Sequence, residues 1–395
     1  MTLIIALLLV PLVILTACFS LEVVAGLRPL PNEHARAASS SSAVIVVPAH
    51  DEASILRDRL TALKAAAEGR ARILLVADNC ADATADIGRR LGIEVIERND
   101  RERRGKGFAL DFAREHLRCE PPETVPEVVI VIDADCTTDG ESLTRLIDRC
   151  IASGNPCQAK NIQVPAADSS PAVQLSTFAF FVKNVIRQRG MQRLAGRGHL
   201  LGTGMAFPWR IFENAELASG ELVEDMKLGQ DLAAQGHGSI FVEEAQVSSG
   251  AESDRNTLSQ RQRWEGGFLR NALRVGPSLL AQAVAKGDRR AIWAAVNLMI
   301  PPIALLVVLD IVGIVSAGAI AWLTGTAAWP ALVLAALLAI AFMAIALAWC
   351  AGGSRYVPLR TLASVPFYLV WKVPLYLGLA RTGAPKQWLR TARDD

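Results

Sequence analysis

Long apolar runs occupy both ends of the chain and short ones its middle, and the two lengths predict different elements. Residues 1–27 carry one ionisable side chain, Glu22. About 20 apolar residues let a helix cross a bilayer, so this run predicts an N-terminal span. Leu15-Thr16-Ala17-Cys18 has the form of a lipobox. A cleaved signal would begin with positive charge, however, and this run has none before it and continues through Val24. From Ala291 to Ser354 the only ionisable residue is Asp310, which fits two crossings within 303–350 joined by a turn near Leu323 to Pro330. Pro301-Pro302 ends an interfacial lead-in spanning 271–302. The run from Leu362 to Ala380 contains Lys372, Pro366 and Pro374 and is followed by Arg381, Lys386, Arg390 and Arg393. It reads as a helix lying in the interface, with 351–395 as that helix plus a basic tail.

The middle has another rhythm. After an Ala/Ser-rich linker (28–42), Ala43 to Val47 is a β-branched run ended by Pro48, and similar runs stand at Arg72 to Val76, Glu94 to Ile96 and Val128 to Ile132. Helical composition separates them at Ile55 to Ala67, Ala81 to Leu91 and Lys106 to Leu117. Such alternation predicts an α/β fold with a mostly parallel sheet and flanking helices, plus transmembrane helices at both ends. In such sheets ligands bind beyond the carboxyl ends of the strands.

Composition sharpens this picture. Hydrophobic residues make up 51% of the 395 and charged ones 20%, which suits a chain that is partly in lipid and partly in water. A net charge of +2 provides no field to recruit nucleic acid. The seven cysteines include no CxxC, which argues against a disulfide framework and a structural zinc site. Lys286, Arg289 and Arg290 precede the C-terminal pair of crossings, Arg355 and Arg360 follow it, and its turn has no basic residue. Arg28 and Arg36 follow the first span. The positive-inside rule therefore predicts a multi-pass inner (plasma) membrane protein with its N-terminus outside and 43–270 in the cytoplasm.

The candidate chemistry lies at the strand ends. Strand one stops at Pro48-Ala49-His50-Asp51-Glu52, strand two at Asp78-Asn79, and strand four at Asp133-Ala134-Asp135. Paired carboxylates such as Asp133 and Asp135 suit Mg²⁺ or Mn²⁺, which usually complete their shells with substrate phosphates. A lone DxD is also an ordinary solvated turn. No P-loop or GxGxxG is present, so a diphosphate would need metal and basic side chains, and Arg104-Gly105-Lys106-Gly107 ahead of a helix supplies a cation and backbone N–H groups. Downstream stand Val223-Glu224-Asp225 and Gln260-Arg261-Gln262-Arg263-Trp264, the latter pairing a bidentate phosphate donor with a flat stacking surface.

In order and separation, these motifs resemble those of the processive-type family 2 glycosyltransferases: cellulose, chitin and hyaluronan synthases, nodulation-factor N-acetylglucosaminyltransferases and ceramide glucosyltransferases. Those enzymes carry an Asp after strand two, a DxD, an ED pair and a QxxRW box. The likeness covers roughly residues 43 to 270 and extends to the flanking membrane helices. It implies a GT-A fold and a nucleotide-diphosphate sugar donor, with a UDP-sugar expected. It also implies an inverting, metal-dependent transfer to a saccharide or lipid-linked acceptor in the membrane, for surface polysaccharide assembly with its partner proteins. By the same resemblance Pro48, Glu52 and Asp78 lie near the nucleoside, Asp133 near the donor, and Asp133 and Asp135 at the metal, while Lys106 joins the donor contacts on its own sequence context. Asp225 is similar to the general base, with Glu224 beside it, and Arg263 to the diphosphate contact. Trp264 and Gln260 fall on the acceptor platform and Gly202-Thr203-Gly204 on an acceptor loop. His50-Asp51 departs from the family's aromatic-Asn pair, and the text after Leu201 differs from that of cellulose synthases.

Three other readings compete: a processive synthase that translocates its product, a membrane nucleotidyl or phosphosugar transferase, and an inactive membrane scaffold. The nucleotidyl transferase gives no reason for Asp225 or for the Arg-Trp box. The scaffold sits poorly with a complete set of acids.

Overall fold

The computed structural model describes residues 1–31, 42–221, 223–251 and 254–382, with the side chains of 254–263, 380 and 382 undescribed. Most of the linker and the basic residues Lys386, Arg390 and Arg393 lie outside these residues. The chain divides into two compact units. Among the described residues, one comprises those within 29–166 and 196–251, and the other those within 1–28, 167–195 and 254–382.

The first unit is built on an eight-stranded sheet. Its strands are β1 (Ala43–Ala49), β2 (Arg72–Asp78), β3 (Glu94–Arg98), β4 (Val128–Val131), β5 (Thr137–Thr138), β6 (Cys157–Val164), β7 (Met205–Pro208) and β8 (Ile240–Gly250). They lie in the order β3-β2-β1-β4-β7-β6-β8-β5. Pairings β1–β2, β1–β4, β2–β3 and β6–β8 are parallel, while β4–β7, β6–β7 and β5–β8 are antiparallel, so the sheet is mixed. The four strands expected from the sequence form the parallel half. Helices occupy Ala53–Ala67, Thr84–Arg90 and Lys106–Arg118 between them.

Side chains alternate across a strand, so both faces of a central strand need cover. Ile45, Val47, Leu75 and Ile130 pack on one face with Leu56, Leu60, Leu143 and Leu146. Val44, Val46, Leu74, Val129 and Val131 pack on the other with Leu110, Leu117, Phe207 and Phe212. This double cover explains the unbroken apolar text of β1 and β4. It also holds their polar ends at one edge.

The second unit is helical. Thr2–Gly26, Ile303–Thr324 and Trp329–Cys350 are long and apolar enough to cross a membrane, whereas Val365–Leu379 is a shorter apolar stretch. Gly325, at φ 66° in the left-handed region, ends the second of these helices and leads into the third. Ile5 and Leu9 pack with Ala317, Ala331 and Leu334. Polar side chains are buried among them: Thr16 donates to Asp310 at 2.9 Å, and Arg187 Nε donates to Glu22 at 3.0 Å. A Cβ on Gly26 would lie 1.8 Å from the Ile186 carbonyl oxygen, and one on Gly190 would lie 2.1 Å from that of Glu22. Only glycine permits this backbone approach.

Candidate active site

In the sheet unit the functional side chains stand where strands stop. Asp78 ends β2 and Arg98 ends β3; Arg98 Nη1 donates to Asp78 Oδ1 at 2.7 Å and Nη2 to Asp100 at 2.9 Å. Asn79 donates to the same Asp78 oxygen at 2.9 Å, and its own Oδ1 accepts from the Asp100 N–H at 2.8 Å. The Arg98 guanidinium also stacks 5.6 Å from the Phe108 ring centre. Loss of solvent raises the Asp78 carboxyl above its ordinary value, and Arg98 opposes that shift.

The turn after β1 is laced to the one after β2. Asp51 and Asn79 both take positive φ, 53° and 54°, and Asp51 Oδ1 accepts from the Ala81 N–H at 2.6 Å. The Glu52 N–H donates to Thr84 Oγ1 at 2.9 Å, and the His50 ring meets the Asp78 carbonyl at 2.7 Å. Asp51 thus holds a turn.

Lys106 sits at the centre of the edge. Its ammonium contacts Asp133 and donates to the Gly202 carbonyl at 2.7 Å. The Asp133 N–H donates to Thr203 Oγ1 at 3.1 Å. Gly202 and Gly204 have φ 83° and 68°, and a Cβ on Gly202 would lie 3.3 Å from Asp225 Oδ2. Buried Gln158 clamps this loop, its Nε2 donating to the Thr203 carbonyl and its Oε1 accepting from the Leu201 N–H, both at 2.8 Å. Glu224 and Asp225 open the helix Glu224–Ala234, where the N-terminal dipole favours acids.

The electrostatics bind these groups into one system. Loss of solvent pulls the Lys106 pKa down, but Asp133, Glu224 and Asp225 outweigh it and raise it. Desolvation, followed by the charge of Asp225, pushes Glu224 up to about 7. Desolvation also raises Asp133, with Asp135 adding and Lys106 opposing. Ligand atoms of Asp133, Asp135 and Cys136 lie within 4.8 Å of one another. Burial, then Asp135 and Asp133, drives the Cys136 thiol well above its ordinary value, so it stays protonated. Two mutually repelling carboxylates are a hard-oxygen set that fits Mg²⁺ or Mn²⁺.

The structure therefore brings Lys106, Asp133, Gly202, Thr203 and Asp225 together, with Asp135 and Glu224 alongside. Pro48 lies in β1 and Glu52 in the turn beyond it. Trp264 belongs to the helical unit, its ring centre 6.2 Å from that of Phe180. The side chains of Gln260 and Arg263 lie outside the described residues. Sequence reasoning missed Arg98 and Gln158. Arg98 had a usable signal, since it too ends a parallel strand, whereas Gln158 had none.

Residues 42–267 match the model of a family described as glycosyltransferase like family 2. The match spans more than half of the chain, which belongs to that family. Among solved structures, the fold is similar to that of mannosyltransferase PcManGT from Pyrobaculum calidifontis, in complex with GDP-Man and Mn²⁺. That likeness covers 96% of this chain and 98% of the other, at 18% identity and a TM-score of 0.56. Mannosyl-3-phosphoglycerate synthase from Rubrobacter xylanophilus aligns over 62% of this chain and 75% of its own, with 18% identity and a TM-score of 0.40. Glucosyl-3-phosphoglycerate synthase from Mycobacterium tuberculosis, in complex with Mn²⁺, UDP and phosphoglyceric acid, aligns over 59% and 78%, with 14% identity and a TM-score of 0.38. No curated protein matches the chain.

Proposed function

We propose that the chain is a membrane-bound inverting glycosyltransferase that moves a sugar from a nucleotide-diphosphate sugar, such as a UDP-sugar, to a lipid-linked saccharide acceptor for surface-polysaccharide assembly. The observation that carries this reading is the convergence of Lys106, Asp133, the Gly202 loop and Asp225 at one sheet edge. In this reading residues 43–270 work in the cytoplasm, anchored by crossings within 1–27 and 303–350, and 362–380 lies in the interface.

Each side chain has a task suited to its chemistry. Glu52 and Asp78 bind the nucleoside, and Arg98 orients the Asp78 carboxylate. Lys106 faces the donor phosphates, and Arg263 is their second basic contact. Asp133 and Asp135 would hold a divalent ion, which supplies charge neutralisation for the departing diphosphate. Asp225 takes the proton from the attacking acceptor hydroxyl on the face opposite the leaving group, so one displacement inverts the anomeric carbon. Trp264 and Gln260 bind acceptor, with Gly202, Thr203 and Gly204 forming the loop beside the base.

A short transfer is favoured over a secreted polymer. A polysaccharide path needs polar groups lining it within the bilayer. Asp310, the one ionisable residue in the C-terminal pair of crossings, is instead bonded to Thr16. Incubating the purified full-length protein with a panel of nucleotide sugars and lipid extracts, with and without Mn²⁺ or Mg²⁺, tests the proposal. Metal-dependent release of nucleoside diphosphate, with sugar appearing on a lipid, is the expected result. Release of pyrophosphate would indicate a nucleotidyl transferase instead, and no release from any donor would support the inactive scaffold.

A further inference from the structure

Within the helical unit lies a cavity of about 410 Å³, in the size range of small-molecule sites. Its wall includes Phe178, Phe268, Val307, Phe342, Ile345 and Trp349. Four of these, Val307, Phe342, Ile345 and Trp349, come from the two C-terminal helices that can cross a membrane. Several polar side chains in the wall have partners inside the protein. Glu265 accepts from Lys372 at 2.6 Å, Arg187 donates to Glu22 at 3.0 Å, and the Trp349 indole donates to the Val357 carbonyl at 2.8 Å. The Lys372 ammonium also lies about 6 Å from three ring centres, two of which, Tyr368 and Tyr376, face the cavity. A sugar or nucleotide entering this space would lose water without gaining enough hydrogen bonds to replace it. A hydrocarbon chain would lose nothing.

Two further observations mark the cavity as more than a packing gap. One wall carries a π-helical turn, Val182–Ile186, inserted between two α-helical stretches, a distortion found mostly at functional sites. Trp264, the last residue of the QxxRW box, also lines the cavity and falls inside the family-matched segment.

We infer that the cavity receives the hydrocarbon chain of the lipid-linked acceptor. This rests on the glycosyltransferase reading above and goes beyond it by naming where the lipid is held. Each buried methylene is worth about fourfold in affinity, so acceptors with longer chains bind more tightly until the space is full. Ordinary bilayer lipid is the competing occupant.

The test uses full-length protein in phosphatidylcholine nanodiscs and a long-chain alkyl glycoside carrying a diazirine at its tail. The expected result is crosslinking to the peptides containing Phe178 or Phe342. Unlabelled long-chain glycoside should compete, while the two-carbon glycoside and excess phosphatidylcholine should not. Ala346→Trp and Ala304→Phe, each filling the cavity from a different helix, should each reduce the labelling about tenfold or more while leaving nucleotide-sugar binding unchanged. Labelling elsewhere, equal competition by phosphatidylcholine, or labelling unaffected by both variants would overturn the inference. Turnover separates this failure from failure of the enzymatic reading. Sugar transfer whose KM ignores chain length would remove the cavity from the mechanism and keep the enzyme. Chain-specific labelling without any donor consumption would remove the enzyme and leave the cavity as a lipid site.

Discussion

Both units of the molecule bury acids, but they surround them differently. In the helical unit the buried acids among the described residues meet side chains on other helices: Glu22 with Arg187 and Asn297, Asp310 with Thr16, Glu265 with Lys372. In the sheet unit Asp133, Glu224 and Asp225 crowd one ammonium, that of Lys106. Acids matched in this way tie helices together. A set of carboxylates exceeding its cations repels itself, and a cationic or proton-donating ligand relieves the strain. The same residue types therefore hold helices together in one region and are poised for chemistry in the other.

The largest expected effect tests the crowded site. Asp225→Asn should lower sugar transfer by about 10³-fold, because a general base acts in the transition state, while donor affinity changes little. Near-normal turnover would remove Asp225 from the mechanism. Next comes a structural pair. Glu22→Ala leaves Arg187 as a buried, uncompensated charge and should cost about 3–5 kcal/mol, read as a lowered thermal midpoint in detergent. The combined Glu22→Leu/Arg187→Met change should cost much less, and equal losses would show that the ion pair itself is the source of stability.

Asp135→Ala should weaken Mn²⁺-dependent donor binding by about tenfold or more, since a hard cation loses one of its two carboxylates. Calorimetry showing unchanged affinity would contradict that role. The pH response should be smaller. Glu224 titrates at about 7 in the folded chain against an ordinary value of 4.5. Between those values the folded state holds a proton that the unfolded state has released, so stability falls as pH rises across this window. Glu224→Gln should flatten the metal-free pH profile there, and superimposable profiles would refute the shift.

Much of this contrast was legible in the sequence, and the exceptions have physical reasons. β1, β2 and β4 announce themselves because burial on both faces demands continuous apolar text. β6 does not, since Gln158, Asn161 and Gln163 are buried within it. Gln158 is tolerated because it satisfies the backbone of the 201–204 loop, a pairing that exists only after folding. β8 is hidden in a similar way by Glu243, Glu244 and Gln246. The acids of the site were readable because a carboxylate directly after an apolar strand is conspicuous. Lys106 was readable as a cation, but the pairings were not, as nothing along the chain links Arg98 to Asp78 or Lys106 to the Gly202 carbonyl. Asp310 stood out as the lone acid in an apolar helix, and Thr16, distant in sequence, supplies the partner that makes it structural.

The smallest expected effect, combined with the largest, tests the central claim. Asp310→Asn keeps an oxygen to accept from Thr16 and should leave sugar transfer within about twofold of the unsubstituted protein, in line with the modest net worth of one hydrogen bond. Transfer of labelled sugar to lipid should therefore be measured side by side for Asp225→Asn and Asp310→Asn, in full-length protein under identical donor and metal concentrations. The account predicts loss of transfer in the first and near-normal transfer in the second. Retained transfer in Asp225→Asn, or its loss in a folded Asp310→Asn, would contradict the division between a reactive sheet edge and a structural helix bundle.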